Sequence, residues 1–135
     1  MDYEISYCEK HTDDRGYLVE FLKNPEIPEE YKNFGQVYFV TFQKPGVVRG
    51  NHYHTRFYEW FGVAQGVLEV FLADVNTGEK VNFVLSGEDN KFTRLHIGPY
   101  VAHAFRNTSK SAVLIDYCNA VYDPGDSDRN YFKVI

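Results

Sequence analysis

Apolar and polar positions alternate in short bursts along this chain, and nowhere do they recur at helical spacing over a convincing length. The β-type runs are Gln36–Phe42, Trp60–Ala64, Val67–Asp74, Lys80–Leu85, Phe92–Ile97 and Ala112–Cys118. Aromatic and β-branched residues dominate them, and such side chains suit a pleated, half-buried surface. Turn chemistry separates the runs: Gln65-Gly66, Asn76-Thr77-Gly78 and Ser86-Gly87-Glu88-Asp89-Asn90. Short strands at this spacing predict a sandwich or barrel of the jelly-roll kind. Pro25 and Pro28, set among Glu26, Glu29 and Glu30, predict a polar loop with at most one helical turn. Asp123-Pro124-Gly125-Asp126 ends the last barrel strand, and Asn130–Ile135 has the makings of a short edge strand.

Composition sharpens this picture. With 11 Tyr, 11 Phe and one Trp the chain leans further toward β structure. Its 135 residues suit one domain, residues 1–135. The formal net charge of −5 argues against a nucleic-acid groove, which needs a positive field to displace counterions. It leaves room for an anionic small molecule, because a few converging arginines bind phosphate whatever the global charge. Cys8 and Cys118 lie far apart, outside any metal-type spacing, and read as buried small hydrophobes of a cytosolic protein. With no signal-peptide pattern, and no apolar run near the ~18 residues of a membrane span, the expected location is cytoplasmic and off the membrane. No Gly-x-Gly-x-x-Gly opens a βα unit, so no nicotinamide cofactor is expected.

Chemistry concentrates between Gly46 and Gly66: Gly46, five residues, His52, Tyr53, His54, four residues, Glu59, six residues, Gly66. On a strand, residues two apart face the same side, so His52 and His54 project together. Glu59 falls where the next strand begins. A second segment follows: Gly98-Pro99-Tyr100-Val101-Ala102-His103, three residues, then Asn107. Three histidines and a carboxylate on two hairpins form a plausible metal set, His52, His54, Glu59 and His103. His11 and His96 fall outside both segments and read as surface or core residues.

These two segments resemble the paired motifs of the cupins, which implies an all-β double-stranded β-helix, a jelly-roll barrel with the histidines inside. One position departs: Tyr100 stands where cupins usually carry glycine. The flanks, Asp14-Arg15-Gly16-Tyr17-Leu18-Val19-Glu20 and Pro45-Gly46-Val47-Val48-Arg49-Gly50-Asn51-His52, are similar to nucleotide-sugar cupins of surface-polysaccharide and deoxysugar pathways. Among these, dTDP-4-dehydrorhamnose 3,5-epimerases share an Arg-Gly-x-His-Tyr segment and a late Tyr-x-Pro. The 3,4-ketoisomerases of dTDP-4-keto-6-deoxyglucose share Arg-Gly-x-His-x-His and Gly-Pro-x-x-x-His. The cupin domain of capsular polysaccharide synthesis reductases has segments similar to Gly50-Asn51-His52 and Asp123-Pro124.

The resemblance implies isomerisation of a nucleotide-diphosphate sugar carrying a 4-keto group, with no cofactor required. His52 would be the base and Tyr122, in Val121-Tyr122-Asp123-Pro124, the facing acid; His54 and His103 would polarise or position the carbonyl. Arg49 would contact the diphosphate, and Arg15 would do so from a neighbouring subunit, which implies a homodimer. Glu20 and Asn51 are implied as further substrate contacts. In the 3,5-epimerases an aspartate well beyond the Tyr-x-Pro orients the base histidine, and this chain ends too soon to match it. Plainer roles stand beside these: Arg15 as a turn residue capped by Asp13 or Asp14, Tyr122 as a plug at the barrel mouth. Tyr38, Phe61 or Phe71 could stack on a nucleotide base. A metal-dependent cupin enzyme and a non-catalytic sugar-binding cupin are the rival functions.

Overall fold

A computed structural model describes residues 1–135. Its strands are β1 (Tyr3–Cys8), β2 (His11–Asp13), β3 (Gly16–Leu18), β4 (Gln36–Phe42), β5 (Val48–Tyr53), β6 (Glu59–Gln65), β7 (Val67–Asp74), β8 (Lys80–Ser86), β9 (Phe92–Ile97), β10 (Val101–Asn107), β11 (Ala112–Cys118) and β12 (Asn130–Tyr131). Two 3-10 turns, Asn24–Glu26 and Glu29–Tyr31, occupy the proline-flanked loop. One five-stranded sheet has the order β1-β9-β6-β11-β4, the other β12-β5-β10-β7-β8, and every strand pair is antiparallel. Two facing sheets with these crossovers make the double-stranded β-helix that the motifs implied.

The alternation seen in the sequence becomes burial. Leu68, Val70 and Leu72 on β7 are fully buried between the sheets, as are Phe42, Leu95 and Val101. Each side chain of this size contributes ~1.5–3 kcal/mol on full burial. β1 was not anticipated, although Tyr3, Ile5 and Tyr7 alternate with polar residues; it pairs along β9 from Tyr3↔Ile97 to Cys8↔Phe92. The outer face of the first sheet is covered by the 3-10 loop. There Tyr31 stacks on Tyr58 at 3.7 Å and His96 stacks on Trp60 at 4.1 Å, with His96 Nδ1 bonded to the Glu59 carbonyl at 2.9 Å. His96 is thus a half-buried packing residue, as its place outside the motifs suggested.

Two backbone details set the site. Gly50 has φ +102, and a Cβ there would lie 2.5 Å from the His103 carbonyl oxygen. Only glycine lets β5 come this close to β10, at the bulge between His103 and Ala104, and this puts His52 directly opposite His103. Tyr100 has φ +64, the left-handed conformation that glycine adopts freely and tyrosine adopts under strain. Its N–H donates to the His54 carbonyl (2.8 Å) and its carbonyl accepts from Val75 (3.0 Å), so the turn is held from both sides.

Candidate functional site

Between the sheets lies a cavity of about 510 Å³. His52 reaches it from β5, His54 from just beyond that strand, His103 from β10 and Glu59 from the first residue of β6. The His52 ring centroid lies 4.6 Å from that of His103 and 5.0 Å from that of His54. The period-2 spacing read from the sequence does bring His52 and His54 to one place.

Their electrostatics differ. Burial, together with the neighbouring rings of His103 and His54, pushes His52 down to about 3, so it is an uncharged base throughout the neutral range. Its Nδ1 is buried without a hydrogen-bond partner. Burial also opposes charge on His54, but there the Glu59 carboxylate, 3.5 Å from Nε2, wins and raises it. His54 Nδ1 faces the Asp128 carbonyl at 2.7 Å, so both ring nitrogens point at acceptors and the protonated form is favoured. His103 is buried and held low, though Glu59 Oε2 lies 3.9 Å from its Nε2. Glu59 is itself nearly fully buried; burial works against its charge, and the surrounding histidines keep it below the usual carboxylate range. The pocket therefore holds a neutral histidine beside one that leans to the cation.

Asp128 was missed by sequence reasoning. It has φ +47, and its carboxylate accepts from Thr55 N–H (2.9 Å), the Thr55 hydroxyl (2.5 Å) and Arg56 N–H (2.8 Å). That clasp fixes the carbonyl against His54. A residue beyond Tyr122-x-Pro124 thus orients a histidine, while His52 Nδ1 has no such partner, in keeping with the missing aspartate. Asp128 acts on His54 rather than His52, and through its main chain.

Tyr122 lines the cavity mouth, half exposed, with its N–H donating to Gln36 Oε1 of β4 at 3.1 Å. It thus approaches from the sheet opposite the one that carries His52. Arg49 also lines the cavity; it spends Nε on the Thr41 carbonyl (3.2 Å) and keeps the rest of its fork free. Arg129, which sequence reasoning did not single out, lines the same cavity. Tyr38 and Phe61 line it too, whereas Phe71 faces outward under the Arg106 guanidinium.

Other expected contacts lie elsewhere. Asn51 has φ +58, and its side-chain oxygen accepts from Val134 N–H (2.8 Å) and Ile135 N–H (3.2 Å), so it ties down the last residues instead of facing a substrate. Glu20 is solvent-exposed and pairs with Lys23 at 3.3 Å, away from the cavity. Arg15 sits at the tip of the β2–β3 hairpin, its N–H capped by Asp13 Oδ1 at 2.8 Å and its side chain 86% exposed. Within its own chain it is the capped turn residue. Asn107, the end of the second motif, is buried and pins a loop through Lys44 O (2.9 Å) and Ser109 O (3.0 Å). Burial drives Cys118, at the cavity wall, up to about 12, so it stays a thiol; Cys8 is also free.

As a metal set the residues fit in part. The ring nitrogens of His52, His54 and His103 lie within 4.8 Å of one another, and Glu59 falls outside that set. Three histidines would be the donors for an ion here, with Glu59 behind His54 and His103.

Comparison with known proteins agrees with this architecture. The family model described as "Polysaccharide biosynthesis C-terminal domain" matches residues 11–130. The spore coat polysaccharide biosynthesis protein SpsL of Bacillus subtilis is 34% identical over 89% of this chain and 80% of its own length. A TDP-4-oxo-6-deoxy-alpha-D-glucose-3,4-oxoisomerase of Aneurinibacillus thermoaerophilus is 28% identical over 97% of this chain and 88% of its own. The crystal structure of the capsular polysaccharide assembling protein CapF from Staphylococcus aureus superposes on 94% of the chain with a TM-score of 0.70 and 29% identity. This chain spans only 34% of that larger protein. No helix is long and apolar enough to cross a membrane.

Proposed function

The chain belongs to the polysaccharide biosynthesis C-terminal domain family, and on that premise we propose that it isomerises a nucleotide-linked (dTDP or UDP) 4-keto-6-deoxy sugar for surface-polysaccharide or deoxysugar synthesis. The observation that carries this is an uncharged His52 set beside a His54 that leans to the cation, in one cavity. A C–H bond next to a ketone is acidic because the carbanion delocalises onto the oxygen. Removing that proton needs a neutral base, and holding the resulting enolate oxygen needs positive charge nearby. His52 supplies the first; the charge on His54, whose N–H groups are turned to Glu59 and the Asp128 carbonyl, stabilises the oxygen through its field, and a neutral His103 stands beside it. Tyr122, anchored to the opposite sheet, returns a proton to the other ring face, which inverts C3 and, on a suitable substrate, C5. Arg49 and Arg129 hold the diphosphate, for which a planar fork suits better than an ammonium.

A second outcome of the same chemistry, migration of the carbonyl from C4 to C3, is favoured by the closeness of His52 and His54 on one wall. One then takes the C3 proton and the other serves C4 from the same side. It is also the activity in the name of the Aneurinibacillus relative. The experiment that decides is turnover of a dTDP-4-keto-6-deoxyhexose in heavy water, read by NMR. Inverted C3 with deuterium there means epimerisation; a C3 carbonyl with deuterium at C4 means keto migration. Neither product, with the ligand still bound, would point to a non-catalytic sugar-binding protein. The enzyme works in the cytoplasm, where nucleotide sugars are made, as a homodimer in which Arg15 of one hairpin reaches the partner's diphosphate.

Convergence of three histidines favours one rival, a metal-dependent enzyme. An ion held by His52, His54 and His103 would supply Lewis-acid polarisation of the sugar carbonyl. The proton-transfer assignment predicts that exhaustive chelation leaves isomerase activity largely intact, even if thermal stability falls. Lost turnover with the fold retained, restored by added metal, would establish the rival instead.

A further inference from the structure

The cavity has two chemically different walls. β5 and β10 present Arg49, His52 and His103, while the facing sheet presents Gln36, Tyr38 and Asp116. Asp116 has no part in the mechanism above. It sits in mid-β11, inward between Leu114 and Cys118, paired with Tyr38 on β4 and Phe61 on β6. It is 0% exposed and lines the cavity, yet neither carboxyl oxygen has a hydrogen-bond partner within the protein. The Tyr38 hydroxyl and the Glu59 carboxyl approach closely enough to act on its charge, without forming a hydrogen bond of proper geometry. Burying an unpartnered carboxyl costs folding free energy, and leucine would fill the same shape without that penalty. A group that weakens the empty fold and faces the ligand space is what a binding site requires and a core does not.

We propose that Asp116 is a substrate-binding and specificity-determining residue, whose carboxyl accepts a hydrogen bond from a ring hydroxyl of the sugar, on the side away from His52. The assignment rests on the nucleotide-sugar function proposed above. Ionised or protonated, a carboxyl can accept a hydroxyl proton, so the contact holds in either state. Recognition of this kind discriminates strongly, because an analogue lacking the hydroxyl leaves the buried group unpaired.

Calorimetric binding of dTDP- and UDP-glucose, their 2-deoxy and 3-deoxy analogues and the free nucleoside diphosphates tests it without turnover. Wild-type protein should bind one deoxy analogue ~10–100-fold more weakly than the parent sugar. Asp116→Leu should bind the parent sugar weaker by the same ~10–100-fold, lose the discrimination between parent and analogue, and keep wild-type affinity for the free diphosphate. Its ligand-free melting temperature should equal or exceed that of wild type. Asp116→Asn, whose amide oxygen still accepts, should bind the parent sugar more tightly than Asp116→Leu. Equal wild-type affinity for the parent and both analogues overturns the assignment, and this comparison needs no variant. So does an Asp116→Leu protein that melts lower yet binds the sugar normally, which would make the residue structural. In both cases the nucleotide-sugar function stands. Wild-type protein that bound none of the ligands would overturn both together.

Discussion

Asparagine in place of His52 should abolish exchange of carbon-bound hydrogen in the substrate, while nucleotide-sugar binding survives. Asparagine keeps polarity and much of the shape at this position but cannot take up a proton at neutral pH. Loss of a general base costs ~10²–10⁴-fold. The fold should tolerate the change. His52 is only partly buried, and its Nδ1 makes no hydrogen bond that would be lost. Thermal denaturation and titration with nucleoside diphosphate check that the variant is intact; NMR in heavy water checks the exchange. Exchange as fast as wild type would move the base to another residue. His54 is the next candidate, although its contacts with Glu59 and the Asp128 carbonyl suit it less well to accept a proton.

Phenylalanine in place of Tyr122 should leave a different mark. Turnover should slow by ~10²–10⁴-fold, the cost of a lost general acid, while the C3 proton still washes out. The two variants separate because removal and return of the proton fall to groups on opposite sheets. The substitution leaves the local structure in place, since the segment is anchored by the Tyr122 main-chain N–H on Gln36 and the ring is half exposed. A variant that turns over at the wild-type rate would make Tyr122 the plug at the barrel mouth. One that loses washout together with turnover would make it part of the deprotonation step.

Much of the fold and part of the site were legible because they are periodic or local. Alternation located β4, β7, β9 and β11 to the residue, and β6 and β8 to within one residue at an end. The histidine spacing of two on a strand placed His52 and His54 in one cavity, and the frame around them placed His103 and Glu59 there as well. The illegible residues depend on direction, not pattern. Asn51 sits in the motif between Gly50 and His52, yet a left-handed φ turns it to the chain's last residues. Asp128 acts through a carbonyl, which no side-chain motif reports. Tyr100 replaces the usual glycine but keeps a glycine-like φ, so the turn survives with hydrogen bonds from its neighbours on both sides. Asp116 did leave a trace, a lone carboxylate in the apolar run of β11, which only the inward direction of that strand position turns into a cavity group.

The central claim is that this protein moves a proton on and off a sugar carbon. It is tested most directly by incubating the wild-type enzyme in heavy water with several dTDP- and UDP-linked 4-keto-6-deoxy sugars and following each ring position by NMR. Deuterium entering at C3 of at least one of them, with none entering when His52→Asn replaces wild type, is the predicted result. No incorporation at any ring carbon of any of these sugars, with binding demonstrated, would contradict it.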